Sequence, residues 1–586
     1  MIRLFKNFTK RDILYIIISI ILIVFQVWLE LKMPDYMSEI TRLVQSEGNT
    51  FNDIVIQGIY MLLCALGSLV AAILTGYFIA NTAASFSYHV RKKLFNKVEK
   101  LGIDEVKHFS TSSLITRTTN DITQIQMFIS MGLQLMIKSP ITAVWAVTKI
   151  LDKSFEWSAV TGLAVIILLT TVIILMIIVV PRFKIVQKLT DKINGITREN
   201  LIGIRVVRAF NAEKYQEDKF EKTNNELTNI LTFNQKMFAI MQPIMYLVLY
   251  SLTLSIYFIG AKLINDAMMV DKITIFSNMI VFSSYAMQVI MSFLMLAVIF
   301  MMLPRAQVSA SRINEVLNTK ESIVDGKGVN KKVEVGTVEF DNVSFKYPDA
   351  EDYLLENISF KVEKGQTIAF IGSTGSGKST LINLVPRFYD ATLGQVLVDG
   401  INVKEYTEEE LHNIIGYVPQ RAVMFNGSIK YNIKYGRNGK KEVSDEQINE
   451  AINIAQASDF VNSLDKKIDY HIAQGGTNVS GGQKQRLSIA RAIARDPEIY
   501  IFDDSFSALD YKTDLSLRKE LKKYTKDATV LIVAQRIGTI MNADKIVVLD
   551  NGKCVGMGTH KELMKKCKVY KEIALSQLSK EELENE

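Results

Sequence analysis

Long apolar runs separated by short polar breaks fill the first three hundred residues, and the pattern then changes character. Six runs reach the roughly 20 residues that a helix needs to cross the hydrocarbon core of a bilayer. They lie near 12–36, 54–82, 124–151, 156–180, 233–264 and 273–303. The fourth, with Leu163, Ile166, Leu168, Ile174 and Val180, is the cleanest; the third is interrupted by Lys138, Pro140 and Lys149. After Pro304 the stretch Ser309 to Val316 reads as a helix end, followed by a Lys-rich polar linker to about Val335. Short alternating strands then begin, such as Val338–Phe340 and Val343–Phe345. Further on, apolar strands alternate with helical patterns, which predicts parallel βα units.

Charge orients the apolar half. Arg3, Lys6, Lys10 and Arg11 precede the first run; Arg91, Lys92, Lys93, Lys97 and Lys100 lie between the second and third; Arg182, Lys184, Lys188, Arg205 and Arg208 lie between the fourth and fifth. The first-to-second loop has only Arg42 among Glu39, Glu47 and Asp53. Basic loops stay in the cytoplasm, so both termini are expected there. The net charge of +7 over 586 residues is thereby accounted for, and no nucleic-acid partner is expected. Met1 to Arg11 is basic but no small-residue cleavage site follows, which reads as a retained first helix. The two basic connections span roughly 40–50 residues with helical periodicity, too long for structureless loops. The membrane helices are therefore expected to continue into the cytosol and turn back there.

At 48% hydrophobic residues the chain is excluded from the disordered class. Cys64, Cys554 and Cys567 have neither disulfide-scaffold nor metal spacing. Inside the apolar runs Lys138, Gln242 and Gln288 are the polar exceptions. An intramembrane ionisable group reads as functional by default, although Lys138 also fits a snorkelling helix-end position. The sixth run carries Met279, Met287, Met291 and Met295 with Phe282, Tyr285 and Phe293. Such a stripe either lines a site for varied apolar ligands or is ordinary packing.

The strongest local signal is Gly372-Ser373-Thr374-Gly375-Ser376-Gly377-Lys378-Ser379-Thr380, between the strand Thr367–Ile371 and a helix opening at Leu381. Glycines let backbone N–H groups wrap phosphate oxygens, and a helix N-terminus favours anions. Lys378 is expected at the β- and γ-phosphates and Ser379 at Mg2+. A second strand, Ile499–Phe502, ends in Asp503, the carboxylate that Mg2+ needs opposite that serine. The fold class expected is an all-α polytopic membrane domain, six transmembrane helices with long cytoplasmic extensions, fused to an α/β P-loop NTPase domain. The boundaries are 1–320 for the membrane domain, 321–335 for the linker, 336–575 for the nucleotide domain and 576–586 for a charged tail.

Between the two motifs stands Val479-Ser480-Gly481-Gly482-Gln483, followed by Lys484-Gln485-Arg486. With these residues the chain resembles, over nearly its whole length, the ABC transporters of the exporter type, whose signature is Leu-Ser-Gly-Gly-Gln. The resemblance implies further roles. Tyr347 looks like the aromatic that stacks on adenine, and Gln420, after Tyr417-Val418-Pro419, like the glutamine that touches Mg2+ and the membrane-domain interface. Ser507 to Asp510 looks like the D-loop. Arg205 to Phe210 and Ser309 to Arg312 are similar to exporter membrane-domain stretches. Two nucleotide domains are expected to meet head to tail, each ATP held by one subunit's P-loop and the other's signature. Cytoplasmic tips near Ser110–Asn120 and Asn211–Lys219 are expected to couple the domains, the second reaching across to the partner.

Three departures stand out. The family's catalytic glutamate is here Asp504, shortened by one methylene. Its switch histidine is Gln535, within Val533-Ala534-Gln535-Arg536. Glutamine can donate to a γ-phosphate but cannot hold a charge or shuttle a proton. The Gly-Glu-Arg-Gly that usually precedes the signature is Ala473-Gln474-Gly475-Gly476. Asp504 and Gln535 are thus read as degenerate catalytic positions in a site kept for binding ATP, as in one subunit of a heterodimeric multidrug exporter. A bacterial plasma-membrane pump for amphipathic small molecules, working with a second half-transporter among membrane lipids, is the expectation. A homodimer, a peptide or lipid exporter, and an ATP-regulated sensor or channel are the alternatives.

Overall fold

The computed structural model describes residues 1–45, 48–151, 155–329, 333–436, 439 and 442–577. It forms two compact units: Met1–Lys100 with Phe109–Thr319, and Leu101–His108 with Lys320 onward.

The first unit is helical throughout. Its long helices are Lys10–Gln45, Phe51–Glu99, Leu133–Leu151, Phe155–Ile202, Glu213–Asp266 and Met269–Asn318. Six candidate membrane spans are long and apolar enough to cross a bilayer; five lie within single long helices and the third runs over several helices from Thr111 to Leu151. The helices of 49, 48 and 54 residues are about 70–80 Å long at 1.5 Å per residue. That is more than twice the ~30 Å hydrocarbon thickness. The expected extension beyond the apolar runs is therefore present. Pro34, Pro140, Pro181, Pro243 and Pro304 all lie inside long helices. Packing neighbours make such prolines tolerable in membrane helices. The third span is irregular: Asn120–Met127 passes through a π-turn at Phe128–Gly132 before Leu133–Leu151.

The bundle core gathers Ile23, Leu31, Ile79, Trp157, Leu252 and Phe282. Trp157 donates its indole N–H to Ile256 O at 3.1 Å. A line of polar contacts threads this core. Lys138 Nζ lies 2.8 Å from Glu30 Oε1, which also accepts from Gln26 at 2.8 Å and Ser68 at 3.2 Å. Lys149 pairs with Asp35 at 3.0 Å, and Tyr285 Oη donates to Asp35 at 2.6 Å and to Leu31 O at 2.9 Å. Lys138 is thus an ion-paired residue joining the first and third spans, neither a snorkelling end nor an unpaired charge. Breaking a largely buried pair from one side leaves an uncompensated charge, at about 3–5 kcal/mol. Lys138→Met is expected to lower the melting temperature of the detergent-solubilised protein sharply, and adding Glu30→Met to recover most of the loss. Equal melting temperatures for wild type and Lys138→Met would show that the pair contributes nothing.

The expected Met stripe divides. Met279, Phe282 and Tyr285 are buried in the bundle core, whereas Met287, Met291 and Met295 are exposed. A stripe on one helix turns through two environments because its neighbours change along its length. The Ser309–Arg312 stretch closes a polar knot: Ser309 Oγ donates to Asp121 at 3.0 Å and Arg312 pairs with the same carboxylate at 3.4 Å. The first tip was expected near Ser110–Asn120. Leu101–His108 groups with the second unit, whereas Thr111–Thr118 groups with the helical unit.

The second unit holds a six-stranded sheet whose strands run, in spatial order, β12 (Lys553–Gly558), β11 (Lys545–Asp550), β3 (Thr367–Gly372), β10 (Thr529–Val533), β9 (Ile499–Asp503) and β6 (Ile415–Val418). All neighbours pair in parallel except β11 with β12. The strand cores are almost wholly buried, as in Ile499 to Asp503 and Thr529 to Val533. Continuous apolar strands of this kind are what a sheet covered on both faces requires. A separate antiparallel sheet carries β1 (Val338–Phe345), β2 (Leu355–Val362), β4 (Leu393–Val398) and β5 (Ile401–Asn402), and a small pair joins β7 (Gly427–Ser428) to β8 (His471–Ile472). Part of the expected linker is tied to this unit: Gly326 N donates to Tyr406 O at 2.9 Å and Gly328 N to Glu405 O at 3.0 Å. The charged tail at 576–586 falls outside the described residues beyond Gln577.

Candidate functional site

In an open parallel sheet, ligands bind beyond the carboxyl ends of the strands. Here β3 leads into Gly372 to Thr380, β9 ends in Asp503 with Asp504 next, and Gln535 and Gln420 follow two residues after the ends of β10 and β6. The register puts Val533 beside Asp503 and beside Phe370, and Val418 beside Phe502. Residues distant in sequence thus emerge side by side at one sheet edge.

The loop after β3 has the backbone its glycines allow. Gly375 and Gly377 adopt φ of 85° and 92°, a region that costs other residues strain. A Cβ on Gly377 would come within 2.7 Å of Leu355, whereas one on Gly375 would meet nothing within 4 Å. The loop is closely backed on one side and open on the other, as a phosphate cradle needs. Lys378 Nζ donates to Gly372 O at 2.9 Å and Ser373 O at 2.7 Å and lies 3.3 Å from Ser376 Oγ. Burial holds this ammonium below its ordinary pKa, opposed by Asp504 and Asp503. An anion at the cradle would raise it again.

Ser379 Oγ donates to Asp503 Oδ1 at 2.8 Å. Two hard oxygen donors, one in the first turn of the helix Lys378–Asn383 and one at the end of β9, fit Mg2+. Burial raises the Asp503 carboxyl above the usual range, with the Ser379 hydrogen bond acting against that rise. Tyr347 stands edge-on to Phe345 and Tyr389, and its hydroxyl is 3.0 Å from Thr380 Oγ1. The ring expected to stack on adenine is therefore tied to the start of the P-loop helix.

The two degenerate positions touch. Gln535 Nε2 donates to Asp504 Oδ2 at 2.8 Å, and Gln420 Nε2 donates to the same oxygen at 3.3 Å. Asp504 itself sits at φ 46°, with its N–H donating to Val533 O at 2.9 Å. Burial raises its pKa, and the hydrogen bond from Gln420 opposes the rise.

The signature lies apart from this edge. Ser480 caps the helix Gly481–Ala494: its hydroxyl accepts from Gln483 N at 3.3 Å while its own N–H donates to Gln483 Oε1 at 2.8 Å. This reciprocal capping leaves Ser480 and Gly481 exposed. A Cβ on Gly481 would meet nothing, and one on Gly482 would meet Ala508 O at 3.4 Å, so signature and D-loop are neighbours. Val479, ahead of them, packs partly buried against the core. In the D-loop Ser507 Oγ donates to Asp504 O at 2.9 Å, and Asp510 caps the helix Tyr511–Tyr524.

Sequence reasoning missed four residues. Lys107, on the segment Leu101–His108, donates to Tyr389 Oη at 3.2 Å and lies 5.8 Å from the Tyr347 ring centroid. Glu30 and Asp35 pair with the membrane lysines. Gln577 reaches the loop of Gln535. Acids at 30 and 35 inside an apolar run were a readable signal; nothing in the sequence around Lys107 or Gln577 marks them.

The model of the ABC transporter transmembrane region matches residues 16–293, and that of the ABC transporter matches residues 355–507. An uncharacterized ABC transporter ATP-binding protein of Mycobacterium tuberculosis is 37% identical over 519 residues, covering 88% of this chain and 86% of its own length. One from Bacillus subtilis is 33% identical over 578 residues, 98% of both chains. A putative multidrug export ATP-binding/permease protein of Staphylococcus aureus is 32% identical over 501 residues, 84% of both. The structure of a bacterial Atm1-family ABC exporter with ATP bound superposes with a TM-score of 0.82 at 22% identity, covering 97% of this chain and 98% of that one, a likeness of fold.

Proposed function

The chain belongs to the ABC transporter family, as an exporter-type integral membrane subunit that couples ATP to transport, and from that premise we propose that its own ATP site binds without turning over quickly. It works as half of a heterodimer whose partner supplies the fast site, and the pair exports amphipathic, largely apolar compounds. Both termini lie in the cytoplasm of a bacterial cell.

The observation that carries this reading is the shared oxygen, Asp504 Oδ2, which accepts from both Gln420 and Gln535. Hydrolysis needs a carboxylate that aims water at the γ-phosphate and a donor that follows the charge developing there. Asp504 is one methylene short, and its outer oxygen is engaged by two amides. Gln535 directs its N–H at Asp504 and has no charge to offer. Binding depends on other groups: the cradle from Gly372 to Gly377, Lys378, Thr380 with Tyr347, and Mg2+ held by Ser379, Gln420 and Asp503. That ion would neutralise phosphate charge.

The cargo class rests on a groove of about 410 Å³ lined by Met241, Gln242, Met245, Tyr246, Met291 and Met295 among other apolar residues. Flexible thioethers adapt to varied apolar shapes, and the single amide provides one orienting contact. The multidrug-export relative supports the same class. For the partner, Leu201, Ile202, Val206, Phe210 and Tyr215 are all exposed around the second cytoplasmic turn. An apolar tip outside the bilayer suits insertion into another subunit.

The purified chain alone is expected to bind ATP yet hydrolyse it about 10²-fold more slowly than the assembled pair. Equal specific activity from a verified homodimer would overturn the proposal.

A further inference from the structure

We infer that Gln577, on the C-terminal helix, is a positioning residue that clamps the Gln535 loop and so sets how long nucleotide stays at this chain's P-loop. The inference rests on the slow-site reading above and adds a residue to it.

The local problem is an uncapped helix. Ile537–Ile540 is one turn long, and Arg536 at its N-cap position makes no side-chain cap. The first N–H groups of a helix need an acceptor from elsewhere. Gln577 Oε1 accepts from Ile537 N at 2.8 Å, and its Nε2 donates to Gln535 O at 2.7 Å. One amide therefore holds both sides of the Gln535–Ile537 segment from forty residues away. The support beneath it is firm. The helix Lys568–Gln577 buries Tyr570 and Ala574 completely, and Tyr570 Oη is 2.7 Å from His560 Nδ1. On the far side, Arg518 donates to Gly538 O at 2.7 Å while paired with Asp514.

With its backbone fixed, Gln535 presents Nε2 to Asp504 Oδ2. The chain of contacts runs from the C-terminal helix through Gln577 and Gln535 to the strand-end carboxylates. Releasing the segment lets Gln535 swing away and opens one wall of the nucleotide site.

The test uses full-length protein in its native dimer, in lipid nanodiscs. Exchange of radiolabelled 8-azido-ATP is timed by photolabelling this chain. Gln577→Met, which keeps the length but loses both bonds, is expected to speed exchange about five- to thirty-fold. Gln577→Glu, which keeps only the cap on Ile537, should fall between. A purely structural role would act regardless of residue 535. Positioning requires the Gln577→Met effect to vanish in a Gln535→Ala background. Unchanged exchange in Gln577→Met, or full additivity with Gln535→Ala, overturns the inference. Wild-type exchange that is equally fast at both sites would refute the slow-site reading instead, while the ratio of Gln577→Met to wild type would still decide this one.

Discussion

Asp504→Glu combined with Gln535→His is expected to raise hydrolysis at this chain's own site about 10²-fold. The added methylene advances the carboxylate by about 1 Å, and a misplacement of that size costs about that factor. Histidine supplies a donor that can also carry charge. Neither change alone should give half the gain in logarithmic terms. Asp504 Oδ2 is bound by the Gln535 amide, so the two positions act as one unit and their effects are not additive. The double variant also has a cost. Residue 504 sits at φ 46°, where aspartate is tolerated better than glutamate, so about 1 kcal/mol of stability should be lost. Single-turnover hydrolysis with the partner's P-loop lysine removed isolates this site. A double variant no faster than wild type would show that the slowness lies elsewhere.

Ser480→Arg should lower ATP turnover of the assembled transporter by about 10²–10³, the usual range for losing a donor aimed at a reacting phosphoryl or oxyanion group. Ser480 sits exposed at the N-terminus of a 14-residue helix, a position suited to an anion brought by another subunit. Arginine would remove the hydroxyl that accepts from Gln483 N, at about 1 kcal/mol, and fill the open space beside Gly481. Lys378→Ala should weaken ATP binding at this chain's own site and reduce total turnover less than tenfold, because the fast site uses the partner's lysine. Steady-state ATPase of the two variants, matched for folding by melting temperature, compares them. If Lys378→Ala proved the more damaging, the slow and fast sites would be assigned the wrong way round.

Much of this was legible in the chain. A run of twenty apolar residues admits few readings, and the Gly-rich loop between an apolar strand and a helix admits fewer still, so the six spans lie as expected and the loop and Asp503 come together through Ser379. The contact between Asp504 and Gln535 was not legible, although both residues were suspect, because adjacency of β9 and β10 is a property of sheet order. Lys138 was ambiguous for a related reason: its partner stands 108 residues earlier. The role of the Met stripe stayed open in the sequence because periodicity identifies a face without saying what covers it.

The distance in sequence between Glu30 and Lys138 also bears on how the protein is made. A ribosome adding 5–20 residues per second needs roughly 5–20 s to span those 108 residues. Throughout that interval the first span carries Glu30 and Asp35 with neither lysine yet synthesised, against an insertion penalty of about 2.5–3.5 kcal/mol for a charged residue at mid-helix. Its surrounding Ile and Leu residues must hold it in the translocon or the bilayer for that time. Emergence of the third span then neutralises both acids at once. Topogenesis of the amino-terminal hairpin is in this sense provisional, and it becomes permanent only when the third helix arrives.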